Sequence, residues 1–299
     1  MKKLLFIGAG GLIGKYFIQI ASKDFSITAT YLKHDSIPRK NNVKYIKLDL
    51  TKRKNVLNVV HKIKPDTIVL AASIGDIDYC EKHKSQAYQV NYLGVKNISD
   101  GIRNTSIKLI FLSTSYVYLG RKKIYRESDK LCPLNYYGYT KTLAEKYITK
   151  NNNHYVILRL STMYGWNYKT HRQNIATNLI KQAGNNNKIY VVRDRYTNFL
   201  YAGDAATCLK KVIKKNINYT ILNIAGERCI SYYEFALMLC KYFSIETEKI
   251  IPAESNFFNN LTPRPRNTCL DCTQAEAIIK FHPMSISNGL SRMKHNKDD

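Results

Sequence analysis

The sequence of 299 residues contains no uninterrupted apolar run of about 18 residues, the length that a membrane-spanning helix needs. Its N-terminal apolar run is short, because Leu4–Ile7 stops at Gly8 and no cleavage-type segment follows. Neither a signal peptide nor a membrane helix is therefore expected. We expect a cytoplasmic protein with no membrane partner.

The cysteines lack the arrangement of a disulfide framework or of a zinc site. Their number is seven, which is odd, and they are scattered along the chain, whereas a small secreted scaffold favours an even number. Cys269 and Cys272 form a C-x-x-C pair, but no second pair of ligands follows at a suitable spacing. The sequence predicts free thiols in a reducing compartment and no metal site.

Acidic residues are scarce, since 22 Asp and Glu stand against 47 Lys and Arg and leave a formal net charge of +25. Such an excess is one mark of proteins that bind nucleic acids. The lysines are spread along the whole chain, however, and asparagine, isoleucine and tyrosine are abundant with them. We favour compositional drift and do not expect a nucleic-acid partner. The oligomeric state is left open, with a homodimer as one option.

Apolar strand-like runs alternate with helical patterns over the first 170 residues. Such an alternation predicts an α/β protein with a doubly wound parallel sheet and right-handed crossovers, the Rossmann arrangement. The pattern is looser over residues 171–290, and the polar end, residues 291–299, is predicted to be a disordered tail. The six predicted strands are Lys3–Ile7, Phe25–Leu32, Val43–Leu48, Thr67–Ala71, Lys108–Ser113 and Tyr155–Leu160. One long helical stretch is predicted at about Glu81–Ile102.

A glycine cluster lies between the first predicted strand and the first predicted helix. It does not fit G-x-G-x-x-G, because Ile13 holds the last place, but Gly8, Gly11 and Gly14 fit G-x-x-G-x-x-G. A backbone that turns sharply beside a pyrophosphate has no room for side chains, and the helix N-terminus offers free N–H groups to phosphates. The sequence therefore predicts a dinucleotide-binding turn.

The end of the second strand indicates which dinucleotide is bound. A carboxylate there binds the ribose hydroxyls of NAD and repels the 2′-phosphate of NADP. This chain has Tyr31 at that point, no acidic residue before Asp35, and the basic Lys33 nearby. We predict NADPH as the cofactor, with NADH as the alternative.

Tyr137 and Lys141 are four residues apart and lie on one face of a predicted helix. Tyr118 and Lys122 have the same spacing, but they lie in a basic loop with little helical character. Thr114 ends the fifth predicted strand, and ligands of such sheets bind at the carboxyl ends of strands. We therefore choose Thr114, Tyr137 and Lys141 as the candidate catalytic residues.

These three residue types suit the reduction of a carbonyl group. A neighbouring ammonium is expected to lower the pKa of the Tyr137 phenol from about 10. Lys141 could do this while it holds the nicotinamide ribose. Tyr137 would then protonate the carbonyl oxygen as hydride arrives at carbon, and Thr114 would donate a hydrogen bond to the same oxygen.

The chain resembles the dTDP-4-dehydrorhamnose reductase family of extended short-chain dehydrogenases, from Gly8 to about Lys280. The fairly specific R-P-x-N-x-x-L-D pattern of the family is matched at the C-terminal end of the resemblance. The segments that carry the resemblance are Ala71–Ser73, Asp76–Glu81, Val90–Asn91, Ser113–Tyr118, Pro133–Lys141, Arg159–Gly165, Arg264–Asn267 and Leu270–Asp271.

The resemblance implies NADPH-dependent reduction of the 4-keto group of a nucleotide-linked 4-keto-6-deoxy-hexose. It implies a Rossmann sheet with a smaller, interleaved C-terminal α/β substrate domain at residues 171–290, and a return segment near residues 198–230. It assigns catalysis to Thr114, Tyr137 and Lys141. The implied cofactor contacts are Gly11, Leu12 and Ile13 at the pyrophosphate, Asp49 and Leu50 at the adenine, and Ala71, Ala72 and Ser73 along the cofactor.

The substrate side departs from the family pattern. Ser115 stands where the family has Asp, Thr162 where it has Trp, and Arg195 where it has Gln. The loop with Arg264 and Arg266 resembles the substrate side of the family, and we expect at least one of them to bind the sugar-nucleotide pyrophosphate. The alternative is that both brace the loop against acidic neighbours.

Two alternatives to the reductase remain from the same resemblance. Relatives also include epimerases and a non-catalytic regulatory subunit of methionine adenosyltransferase. An intact Tyr137 and Lys141 argue against the regulatory alternative, because such a subunit is free to lose them.

Overall fold

The computed structural model describes residues 1–32, 37–168, 172–185, 188–215, 217–258 and 262–296. The strands in chain order are β1 (Lys3–Ile7), β2 (Ser26–Tyr31), β3 (Val43–Lys47), β4 (Thr67–Leu70), β5 (Lys108–Thr114), β6 (Tyr155–Leu160), β7 (Met163–Tyr164), β8 (Ile189–Val192), β9 (Tyr196–Asn198), β10 (Leu200–Tyr201), β11 (Thr220–Ile224), β12 (Cys229–Ser231) and β13 (Ile250–Ala253).

The α-helices are α1 (Leu12–Ala21), α2 (Arg53–Ile63), α3 (Ile77–Lys82), α4 (Lys84–Tyr88), α5 (Gly94–Gly101), α6 (Tyr136–Asn151), α7 (Ile175–Ala183), α8 (Ala202–Lys214), α9 (Tyr232–Phe243), α10 (Thr273–Ile279) and α11 (Ile286–His295). A π-helical turn, Gln89–Leu93, connects α4 to α5.

Seven parallel strands form the central sheet, in the order β11-β6-β5-β4-β1-β2-β3. The interior strands β4 and β5 are buried along their whole length, as expected for a parallel sheet covered on both faces. Helix α1 packs with α8 on one face, while α2, α5 and α6 pack together on the other. The predicted doubly wound Rossmann sheet is confirmed.

The C-terminal part interleaves with this sheet. Strand β11 pairs with β6 and so returns the chain to the edge of the central sheet. The short pairs β7–β10, β8–β13 and β9–β12 lie outside it, at the end where the parallel strands finish. These short pairs are therefore placed near the carboxyl edge of the sheet, the position where doubly wound folds bind ligands.

Two local predictions were wrong. The stretch predicted as one helix, 81–102, is interrupted at His83, which has φ −121° and ψ 58° and separates α3 from α4. It then continues from α4 through the π-helical turn into α5. The tail predicted to be disordered from residue 291 begins inside α11, where Leu290 and Met293 are buried against the core. Residues 297–299 lie outside the described part of the chain.

The prediction that all cysteines are free thiols was also wrong. Cys229 and Cys269 form a disulfide with their Cα atoms 5.6 Å apart, although 40 positions separate them in the sequence. Asn198 brings them together, because it pairs with Cys229 across β9 and β12 while its side chain accepts a hydrogen bond from Leu270 N at 2.8 Å. The other five cysteines are free.

Candidate active site

The glycine turn connects β1 to α1 at the carboxyl edge of the sheet. Gly8 has φ +103°, and a Cβ there would lie 2.6 Å from the backbone nitrogen of Ala72, so only glycine fits. Gly14 packs directly on the backbone of Ala9. No side chain caps α1, and its first turn carries no acidic residue. The turn therefore presents the N-terminus of α1, at Gly11, to an anion.

A cavity of about 1010 Å³ extends from this turn to the substrate side. Its wall near the glycine turn is made by Gly11, Leu12, Ile13, Ala71 and Ser73. The middle is lined by Thr114 and Tyr137, and the far end by Tyr116, Thr162, Arg172, Arg195, Tyr232 and Arg264. A glycine turn, a pair of hydroxyls and a polar end thus share one cavity. This arrangement fits a dinucleotide lying across the strand ends with a second ligand beyond it.

Helix α6 brings Tyr137 against the end of β5. Asn135 caps the helix by accepting a hydrogen bond from Gly138 N at 3.0 Å. A Cβ at Gly138 would lie 2.3 Å from the main-chain oxygen of Tyr116, so glycine allows the helix to approach the turn after β5. Tyr137 and Thr114 therefore line the same cavity, and Thr114 is close enough to act on the pKa of the Tyr137 hydroxyl. The structure therefore brings together the two hydroxyl groups chosen from the sequence.

Lys141 lies one helical turn after Tyr137 and is almost fully buried. Its Nζ donates to the main-chain oxygen of Leu112 at 2.6 Å and lies 3.9 Å from the ring centre of Phe111. Burial lowers the pKa of Lys141 to about 7, although the nearby Glu145 carboxylate opposes the change. Lys141 is held in position by β5 and not by Tyr137.

Burial dominates the acidity of Tyr137. It raises the pKa of Tyr137 to about 12, and the hydrogen bond with Thr114 opposes this only in part. The predicted lowering by Lys141 does not occur in this structure, because the Lys141 Nζ is directed to Leu112. Tyr137 is therefore fully protonated at neutral pH, the state that a proton donor needs.

The competing pair does not lie in the cavity. Tyr118 is fully buried, and its hydroxyl accepts a hydrogen bond from Arg159 Nη1 at 2.7 Å. Lys122 is exposed and pairs with Asp129. Tyr118 and Lys122 have structural and surface roles. Tyr137 lines the cavity, whereas Lys141 is buried behind it and is not a lining residue, so the catalytic roles of Tyr137 and Lys141 stay a prediction.

The remaining cofactor candidates lie along the same edge of the sheet. Tyr31 ends β2, and Lys33 lies outside the described residues. Asp49 accepts hydrogen bonds from the backbone and hydroxyl of Thr51 at 2.9 and 2.7 Å. Leu50 packs beside Gly94 at the start of α5. The backbone nitrogens of Ala71 and Ala72 both donate to Ile7 O at 2.9 Å, which closes β4 against the glycine turn.

The substrate candidates separate into those that line the cavity and those that do not. Thr162 lines it, and its hydroxyl lies 3.2 Å from that of Tyr232. Arg264 lines it too, but its Nη2 is already paired with Asp78 at 2.7 Å, which matches the bracing alternative. Among the described residues that line the cavity, Ser115 and Arg266 do not appear. The Ser115 hydroxyl is buried without a partner, and Arg266 is exposed.

Several residues of the site were missed from the sequence. Arg172, Tyr116 and Tyr232 line the cavity, and Tyr116 stacks edge-on against Tyr137 with ring centres 6.2 Å apart. Asn91 is fully buried, and its Oδ1 accepts from Ile74 N at 2.8 Å while its Nδ2 donates to Thr140. The side chain of Asn91 thus links the segment after β4 to helix α6 through hydrogen bonds. The Val90–Asn91 match was the one signal for it in the sequence.

Within the described part of the chain, no helix is long and apolar enough to cross a membrane. The same residues contain no group of three or more His, Cys, Asp or Glu side chains that could hold a metal ion.

Comparison with known proteins shows the family and agrees with the fold. The family model described as RmlD substrate binding domain matches residues 1–298. A dTDP-4-dehydrorhamnose reductase from Aggregatibacter actinomycetemcomitans is 26% identical over 305 residues, covering 98% of this chain and 99% of its own. The methionine adenosyltransferase 2 subunit beta of Pongo abelii is 25% identical over 281 residues, covering 93% of this chain and 82% of its own.

The solved structures include a dTDP-4-dehydrorhamnose reductase from Bacillus anthracis in complex with NADP. It superposes with a TM-score of 0.84 at 24% identity and covers 99% of both chains, which shows the same fold. Since the family model matches almost every residue, the chain belongs to the family described as RmlD substrate binding domain.

Proposed function

We propose that this protein is an NADPH-dependent oxidoreductase that reduces the 4-keto group of a nucleotide-linked 4-keto-6-deoxy-hexose. The observation that carries the proposal is that the Thr114 and Tyr137 side chains line the same cavity as the glycine turn. The reductase relative from A. actinomycetemcomitans, which matches over 98% of this chain, supports the choice of reaction.

The glycine turn fits the cofactor. The uncapped N-terminus of α1 at Gly11–Ile13 would hold the pyrophosphate, and Ala71–Ser73 would line the path to the nicotinamide. When bound, NADPH supplies the hydride. Tyr31 in place of a carboxylate leaves room for a 2′-phosphate without repulsion, and Lys33 adds positive charge to that part of the sequence.

The chain's own residues supply the proton. The Tyr137 hydroxyl is protonated at neutral pH and can donate its proton to the carbonyl oxygen of the sugar. Thr114 donates a hydrogen bond to the same oxygen and stabilises the negative charge that develops there. Lys141, one helical turn away, would hold the nicotinamide ribose.

We assign the cofactor to residues 1–170 and to the return segment near residues 198–230, and the substrate to residues 171–290. The pairing of β11 with β6 supports the return of the chain to the cofactor side. The cavity-lining residues Asn178, Tyr190 and Tyr232, all after residue 170, support the assignment of the substrate side.

The test is a spectroscopic assay with purified protein, NADPH and dTDP-4-dehydrorhamnose. We expect consumption of NADPH that depends on the sugar nucleotide, and tighter binding of NADPH than of NADH by roughly 10- to 150-fold, the value of one well-placed charged hydrogen bond. Binding of NADPH without turnover of any 4-keto-6-deoxy-hexose nucleotide would refute the reductase. Equal or tighter binding of NADH would refute the choice of cofactor.

A non-catalytic regulatory role is the second candidate, because the chain is also 25% identical to a methionine adenosyltransferase 2 subunit beta. The presence of Thr114 and Tyr137 together in the cavity favours catalysis, since a regulatory subunit has no use for them. Addition of the protein to a methionine adenosyltransferase catalytic subunit separates the two. A change in the rate of that subunit, together with no reductase activity, would favour regulation.

A further inference from the structure

Three arginines line the cavity, and they differ in what neutralises them. Arg172 lies 3.4 Å from a carboxylate oxygen of Asp76 and is largely exposed. Arg264 pairs with Asp78 at 2.7 Å and donates to Thr262 O at 2.8 Å. Arg195 lies in the loop between β8 and β9, and no described carboxylate comes within 4.0 Å of its guanidinium. Only Arg195 of the three therefore has no carboxylate partner among the described residues.

The guanidinium of Arg195 is nevertheless held in a defined position. Its Nε donates to the Ser255 hydroxyl at 3.0 Å. That hydroxyl donates to Asp194 at 2.6 Å, and the backbone nitrogen of Ser255 donates to the same Asp194 oxygen at 2.9 Å. Asp194 is thus used to fix Ser255, and Ser255 fixes the Nε side of Arg195. The Nη1 and Nη2 groups keep their donors for another partner, in the planar fork that suits a carboxylate or a phosphate.

Arg195 is at the end of the cavity next to the reacting groups. Tyr116 and Tyr232 line the cavity there and act on the pKa of Arg195, and the Tyr232 hydroxyl lies 3.2 Å from that of Thr162. Tyr116 in turn lies with its ring centre 6.2 Å from that of Tyr137. A ligand whose carbonyl oxygen meets Tyr137 therefore extends toward Arg195.

A charge in this position is costly without a counter-charge. Burial lowers the pKa of Arg195, and the positive charge of Arg264 acts in the same direction. Guanidinium groups stay protonated at neutral pH, so the charge remains and needs an anion. Arg172 and Arg264 each form an ion pair with a carboxylate. Asp194 lies near Arg195, but it accepts hydrogen bonds from Ser255 and makes no ion pair with the Arg195 guanidinium within 4.0 Å, so we expect a further anion to come with the ligand.

We propose that Arg195 determines substrate specificity by binding an anionic oxygen group of the nucleotide sugar through its Nη1 and Nη2 atoms. The inference rests on the proposed function in that it takes a nucleotide sugar as the ligand of the cavity. The group is a phosphate of the diphosphate link or a carboxylate on the sugar ring, which present the same pair of oxygens to the fork.

The experiment measures binding without turnover, by calorimetry, for dTDP, UDP-glucose and UDP-glucuronic acid in the presence of NADP⁺. The variants are Arg195→Gln and Arg195→Lys. Arg193→Gln is the matched control, because Arg193 lies in the same loop but is exposed and paired with Glu254. Circular dichroism and the affinity for NADPH verify that the fold and the cofactor end are unchanged.

We expect Arg195→Gln to weaken binding roughly ten-fold or more, as for a charged hydrogen-bonded pair, with Arg195→Lys between it and the wild type. Weaker binding of dTDP and UDP-glucose would identify the diphosphate as the group that Arg195 binds. Weaker binding of UDP-glucuronic acid alone would identify a sugar carboxylate.

The proposal is overturned if Arg195→Gln leaves all three affinities within two-fold, if Arg193→Gln weakens them equally, or if the wild type binds none of them. Arg195-dependent binding by a protein that never oxidises NADPH would uphold this inference and refute the proposed reductase.

Discussion

Lys141 donates a hydrogen bond from Nζ to the main-chain oxygen of Leu112 at 2.6 Å, and this contact ties helix α6 to the strand that ends at Thr114. The ammonium is buried against the Phe111 ring and does not control the acidity of Tyr137. The pKa of Tyr137 therefore depends on its burial beside Thr114, whereas the position of Lys141 depends on its contacts with β5.

Replacement of Tyr137 by Phe removes only the hydroxyl that donates the proton. We expect turnover to fall by roughly 100-fold or more, the usual scale of general acid catalysis, while NADPH affinity is largely kept. Steady-state kinetics and cofactor titration measure both quantities. Tyr139→Phe is the control, because Tyr139 is two residues along the same helix but exposed. Full activity in Tyr137→Phe would show that another group donates the proton.

Burial of Lys141 makes stability depend on pH. Its folded-state pKa of about 7 lies below the usual value of 10.5, so between these values the unfolded chain binds a proton that the folded chain does not. Its contribution to stability therefore rises with pH from about 7 to 10.5. Without cofactor, the difference between the free energy of unfolding of the wild type and that of Lys141→Met should increase by about 1 kcal/mol or more over this pH window.

Urea denaturation of the two proteins at pH 7 and at pH 9.5 measures this difference. If the difference in unfolding free energy between wild type and Lys141→Met is the same at both pH values, Lys141 keeps its ordinary pKa in the folded state.

Arg159 and Glu145 form an ion pair in which both side chains are almost fully buried, with Nη2 and Oε2 2.7 Å apart. Replacement of Arg159 by Met leaves the Glu145 carboxylate buried without its counter-charge. We expect the free energy of unfolding to fall by about 3–5 kcal/mol. The exposed pair of Arg193 and Glu254 is the comparison, and Arg193→Met should cost less than about 1 kcal/mol. Similar losses of unfolding free energy in Arg159→Met and Arg193→Met would show that the buried pair contributes no more to stability than the exposed one.

The disulfide between Cys229 and Cys269 closes a loop with a sequence separation of 40. Loss of that constraint on the unfolded chain is expected to lower the free energy of unfolding by about 2–4 kcal/mol. Thiol titration of the denatured protein should count five thiols before reduction and seven after it. Cys229→Ser should unfold at the same urea concentration with and without dithiothreitol. Seven thiols in the unreduced protein would refute the disulfide.

The sequence by itself determined the features that depend on neighbours along the chain. The glycine spacing at Gly8, Gly11 and Gly14 predicts its turn because backbone clashes are local. Tyr137 and Lys141 are placed on one face by the helical repeat alone. The alternation of apolar strands and amphipathic helices led to the parallel sheet, since burial on both faces leaves that signature.

Only the tertiary structure decided which distant residues meet. Asn198 joins Cys229 to the segment of Cys269, and the loop after β8 carries Arg195 to the same cavity end as Arg264. Such contacts are absent from any local spacing, because they depend on how separate elements pack. The pKa of Tyr137 shows the same limit: an i, i+4 ammonium predicts a lower value, but burial and the direction of the Lys141 side chain set a higher one.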